Sequence, residues 1–67
     1  MRYYIIKCER HIADLVEDEC RRMKFTILSV KSGVFTSEIE VKGDRPLEAE
    51  HFSSWGVSVF EQESFNF

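Results

Sequence analysis

The stretch Arg2 to Cys8, Arg-Tyr-Tyr-Ile-Ile-Lys-Cys, constrains this chain most, because an extended backbone there turns apolar side chains both ways. Tyr4, Ile6 and Cys8 point to one side, Tyr3 and Ile5 to the other, and the β-branched and aromatic content favours a strand. Such a strand belongs in the middle of a sheet, or in a sheet whose second face meets a partner. Directly after it the period changes. From Glu9 to about Met23 a stripe of Ile12, Leu15, Val16, Cys20 and Met23 recurs at helical spacing, broken only by Glu19. On the other side Glu17–Arg21 and Asp18–Arg22 are i,i+4 pairs with the acid N-terminal, each worth roughly 0.2–0.5 kcal/mol. Arg21, Arg22 and Lys24 close the helix, where its dipole favours cations.

A hairpin follows. Residues 24–31 and 34–42 flank Ser32-Gly33, a tight-turn pair in which glycine can supply positive φ. Phe35, Ile39 and Val41 are expected on one face of the second strand, and Glu38, Glu40 and Lys42 on the other. In the first strand the apolar parity slips between Ile27 and Leu28, the mark of a bulge or of two covered faces. Gly43-Asp44-Arg45-Pro46 is a turn cluster, and Pro46 suits the first position of a short helix over 46–53, with Leu47 and Phe52 as its anchors. Residues 55–61 read as a last strand with Trp55, Val57 and Val59 on one face.

This order predicts an α+β fold in one domain spanning 1–67. The arrangement that satisfies it with short connections resembles the ferredoxin-like split β-α-β: β-α-β-β-(short α)-β, an antiparallel sheet with one main helix on one face. The resemblance lies in element order alone and implies no function. At 67 residues the core is thin, since a domain of that size buries only about 60% of the surface its unfolded chain exposes. No run approaches the ~20 apolar residues of a membrane span, and no signal-peptide pattern opens the chain. A cytoplasmic protein without membrane attachment is the expectation.

Chemistry-bearing clusters are sparse. Cys8-x-x-His11, with Cys20 and His51, offers metal-ligand types, but a structural zinc site brings paired short-spaced ligands from both halves. Cys8 with His11, oriented by Glu9 or Asp14, would be a nucleophile and base without a glycine elbow to supply an oxyanion hole. Glu48, Glu50 and His51 read as an exposed acidic face. No phosphate-cradling glycine motif occurs. Neither catalysis nor a metal or other cofactor is therefore expected.

Charge is divided unevenly. Residues 1–33 carry seven basic and five acidic side chains, and residues 34–67 carry two basic and seven acidic, for a net of −3. A basic set of Arg2, Lys7, Arg10, Arg21, Arg22, Lys24 and Lys31 keeps RNA or DNA binding by the sheet face as an alternative function. The RNA-recognition signature strand, however, has only an imperfect counterpart in Lys31-Ser-Gly33-Val-Phe35. Five of the nine aromatics follow Arg45, among Glu48, Glu50, Glu61 and Glu63, and aromatics ringed by charge are the composition of an interface. The sequence thus predicts a small acidic, non-catalytic protein-binding module that regulates or inhibits a larger partner, of the kind phages and mobile elements encode. Its expected contact residues are Tyr3, Ile5, Phe60, Glu61, Glu63, Phe65 and Phe67. An uncovered second sheet face also predicts a homodimer.

Overall fold

In the computed structural model the described residues are 1–52 and 55–63. The fold is α+β. Strand β1 (Arg2–Glu9) leads through a 3-10 turn (Arg10–Ile12) into helix α1 (Ala13–Arg22), followed by β2 (Thr26–Ser32) and β3 (Thr36–Gly43). A second 3-10 turn (Ala49–Phe52) precedes β4 (Ser58–Gln62). The four strands form one antiparallel sheet in the order β2-β3-β1-β4, so β1 is paired on both edges. Among the described residues no helix is long and apolar enough to cross a membrane.

Register decides what each face carries. Tyr4, Ile6 and Cys8 stand opposite Val41, Ile39 and Ser37, and all six are buried beneath α1. From α1 come Ala13, Val16 and Cys20; Phe25, Leu47 and Phe52 complete the core. Each large side chain fully buried there contributes about 1.5–3 kcal/mol. The parity slip in β2 is a real irregularity, with the register shifting between Ile27 and Ser29.

Four sequence expectations are corrected. Leu15 is 48% exposed, because α1 docks along Ala13, Val16 and Cys20, and Leu15 lies about 100° round the helix from Val16. Phe35 is 82% exposed. The hairpin turns over Gly33, Val34 and Phe35, held by Gly33 N–H to Thr36 O at 2.7 Å, so Phe35 falls beyond the end of β3. The helix expected over 46–53 is the single 3-10 turn Ala49–Phe52, although Leu47 and Phe52 do anchor that segment. The last strand begins at Ser58, since Gly56 takes φ 71° and turns the chain between the half-buried Trp55 and Val57.

The exit of α1 is the most demanding piece of backbone. Lys24 N–H bonds Arg21 O at 3.0 Å and Phe25 N–H bonds Cys20 O at 2.9 Å, the paired bonds of a Schellman cap. That cap needs a left-handed residue, and Lys24 fills it at φ 70°. The turn drops Phe25 onto Gly43, where an added Cβ would meet the ring, and edge-on to Tyr4 with ring centroids 6.0 Å apart.

Two outcomes are expected in thermal melting. Lys24→Gly relieves a left-handed side-chain residue and raises stability by up to about 1 kcal/mol, some 4–8 °C for a domain of this size. Val16→Asp places a charge in the core and prevents folding, whereas Leu15→Ala on the exposed side changes stability by less than about 1 kcal/mol. Loss of the transition in Leu15→Ala would show that α1 buries a different face.

Candidate interaction face

The side of the sheet turned away from α1 is built by the alternate residues. On β1 these are Tyr3, Ile5 and Lys7, opposite Lys42, Glu40 and Glu38 of β3 and Gln62, Phe60 and Ser58 of β4. Cross-strand register therefore places Ile5 beside Phe60, two residues that lie far apart in the sequence. They line a shallow depression of about 250 Å³ together with Lys7, Glu38 and Gln62. Phe60 is 47% exposed, and Tyr3 and Ile5 are half-buried.

Paired charges frame this apolar centre. The Lys7 ammonium lies 3.5 Å from Glu38 and 5.6 Å from the centroid of the Phe60 ring, so one cation serves a carboxylate and an aromatic face. Lys31 reaches over β3 to Glu40 at 3.2 Å. Glu40 is only 7% exposed although it stands on the open side of the sheet. A half-exposed aliphatic and aromatic centre with a rim of matched charge can exclude water from a protein contact, but it supplies no activated nucleophile.

The expected contact residues separate by register. Tyr3, Ile5 and Phe60 share the outer face. Glu61 stands opposite Tyr4 and so projects on the helix side, where the Tyr4 hydroxyl first, and Glu61 with it, hold the Arg2 guanidinium above its ordinary pKa. Glu63 follows the end of β4 and is exposed. Phe65 and Phe67 lie outside the described residues. Lys7, Glu38 and Gln62 were not among the expected residues, and only the strand register brings them in. A second exposed apolar feature was also unforeseen. Val34 and Phe35, 78% and 82% exposed, form the hairpin tip beside Arg10 and His11, tied down by Arg10 N–H to Phe35 O at 2.9 Å.

The other constellations are spread out by the fold. Cys8 is buried in the core, whereas the exposed His11 pairs with Glu9 at 3.3 Å. The His51 ring accepts the Glu48 N–H on Nδ1 at 3.0 Å. Among the described residues no three His, Cys, Asp or Glu side chains gather to hold a metal ion. Of the basic set, Lys7, Arg21, Arg22 and Lys31 each sit beside a carboxylate. No protein family, curated protein or solved structure matches the chain.

Both thiols are held protonated. Burial pushes Cys20 up to about 12, helped by Glu19 and Glu17, and burial raises Cys8 in the same direction. Above pH ~9 an unfolded chain sheds the Cys20 proton while the folded chain keeps it to about 12. The contribution is thus complete below pH 9 and is lost as pH rises through that window. Melting temperatures recorded from pH 8 to 11 should fall more steeply for the unmodified protein than for Cys20→Ala. Parallel profiles would refute the assignment.

Proposed function

We propose that the chain is a small protein-binding module, without catalytic chemistry, that regulates or inhibits a larger partner through the outer face of its sheet. The observation that carries this reading is the Ile5–Phe60 centre, formed between the strand that also holds the fold together and its edge neighbour β4, and framed by the Lys7–Glu38 pair. Aromatic and aliphatic anchors inside a polar rim are where binding energy concentrates in protein contacts. Ile5 sits on a strand paired along both edges and is in place before binding, which spares the ordering cost of a flexible loop.

The same reading extends to the fold type. A split β-α-β with β4 and β2 on the two edges is ferredoxin-like, with the second helix reduced to the turn Ala49–Phe52. In RNA-binding members of that architecture, aromatics on the two central strands stack bases. Here the outer side of β3 bears Glu38, Glu40 and Lys42 and no aromatic ring, and both carboxylates are already paired with lysines. With no ring on β3 for a base to stack on, the face favours a protein over a nucleic acid.

The test is capture from the native cell by the tagged chain and by its Phe60→Lys variant in parallel, with identification by mass spectrometry. A protein retained in stoichiometric amount by the unmodified chain and lost by the variant is the expected result. Equal retention by both would remove the outer face from the contact. A salt-sensitive gel shift with RNA or DNA, absent in Phe60→Lys, would replace the reading with its alternative.

A further inference from the structure

We propose that the outer sheet face is complementary to itself, and that in the free protein two copies stack on it about a two-fold axis. This rests on the reading of that face as a docking surface and adds what occupies it: a second copy, with which any larger partner must compete.

The argument is one of charge placement. Across the two central strands and β4, Lys42 and Tyr3 lie side by side in one row, Ile5 and Phe60 belong to the next, and Glu38 and Lys7 to the third. Consider an axis lying between two facing sheets and crossing the strands at the level of Ile5. It reverses each strand over its own copy. Ile5 and Phe60 then pack on Ile5 and Phe60 of the second copy, Glu38 meets Lys42, and Lys7 meets the Tyr3 ring. Apolar groups fall on apolar groups, and each of these off-axis charges falls on its opposite or on an aromatic face. Glu40, in the axial row, is already covered and paired to Lys31. An axis running along the strands through the middle of the sheet, between β3 and β1, would instead set β1 over β3 and press Ile5 against Glu40. With the two sheets fully overlapped, the complementarity therefore favours the crossing axis.

Size and shape agree. The molecule measures 29 × 26 × 16 Å, a slab whose broad side is of the order of the ~800 Å² per partner that stable interfaces cover. Sheets stacked in this way keep their strands within about 30° of each other, as the alignment requires. The Lys7–Glu38 pair is about half exposed on both side chains, which leaves Glu38 open to a second cation.

The experiment is sedimentation of the purified chain at ~100 μM, where a dimer of ~10 μM dissociation constant is mostly formed. The unmodified protein is expected to run at twice its monomer mass. Glu38→Lys and Lys42→Glu should each raise the dissociation constant tenfold or more, and the double variant should restore it. Glu38 and Lys42 occupy opposite ends of the β3 row, so no contact within one chain can produce that rescue. Circular dichroism confirms that each variant is folded, and Phe60→Lys on the edge strand should also run as a folded monomer. A monomeric unmodified protein, or a double variant no better than the single ones, would overturn the stacking. If Phe60-dependent capture of another protein persists in that case, only the second copy falls. A dimer that tolerates Phe60→Lys overturns the stacking, and if capture of another protein tolerates the same change the docking face falls with it.

Discussion

Strand β1 is hydrogen-bonded along both edges, to β3 and to β4, and the rest of the molecule depends on that double pairing. A strand so placed has no free edge, and its side chains alternate between two environments. One is the dry space under α1, which takes Tyr4, Ile6 and Cys8 to near-complete burial. The other is the open side, where Tyr3 and Ile5 are only half covered. With a single α-helix among the described residues to cover two faces, the chain resolves the first as core and leaves the second as surface. The functional reading follows from that asymmetry, because the apolar residues on the open side add little to the core beneath α1.

Packing on the helix side is tight enough to dictate backbone detail. Phe25 can lie against β3 only because Gly43 has no side chain, and it reaches that place only through the left-handed Lys24. An ordinary helix exit would use glycine at that position. The open side shows the opposite economy. Its charges are matched in place, Lys7 with Glu38 and Lys31 with Glu40, so that the face carries both signs close together. The exposed Lys7–Glu38 pair contributes little to stability, which leaves its arrangement free to serve recognition.

Much of the fold was legible in the sequence because much of it is locally encoded. The two-sided β1, the change to helical period and the parity slip at Ile27–Leu28 each reside in a few consecutive residues, and each has its counterpart in the structure. What escaped depends on how elements dock. Leu15 belongs to the same apolar stripe as Val16, and only the angle at which α1 meets the sheet separates exposed from buried. Phe35 has the right parity for the core. A turn at Ser32-Gly33 would set it opposite Val30, but the ladder pairs Val30 with Ile39 and leaves Phe35 at the tip. Of the candidate site, Tyr3, Ile5 and Phe60 could be read from composition and alternation. The company of Lys7 and Glu38, and the turning of Glu61 to the helix side, required the pairing of β1 with β3 and β4.

That pairing also sets the tempo of folding. Tyr3 is bonded in register with Gln62, so the ladder between β1 and β4 closes a loop containing nearly all of the described chain. The entropy of that closure must be surrendered before any of its hydrogen bonds forms, and topologies dominated by such distant pairs fold slowly for their size. The same ladder is the easiest to undo, since β4 has five residues and is bonded on one side only. Amide exchange should therefore enter the molecule through β4. Each opening there carries Phe60 away from Ile5, so the fastest local unfolding of the fold also disassembles its outer surface.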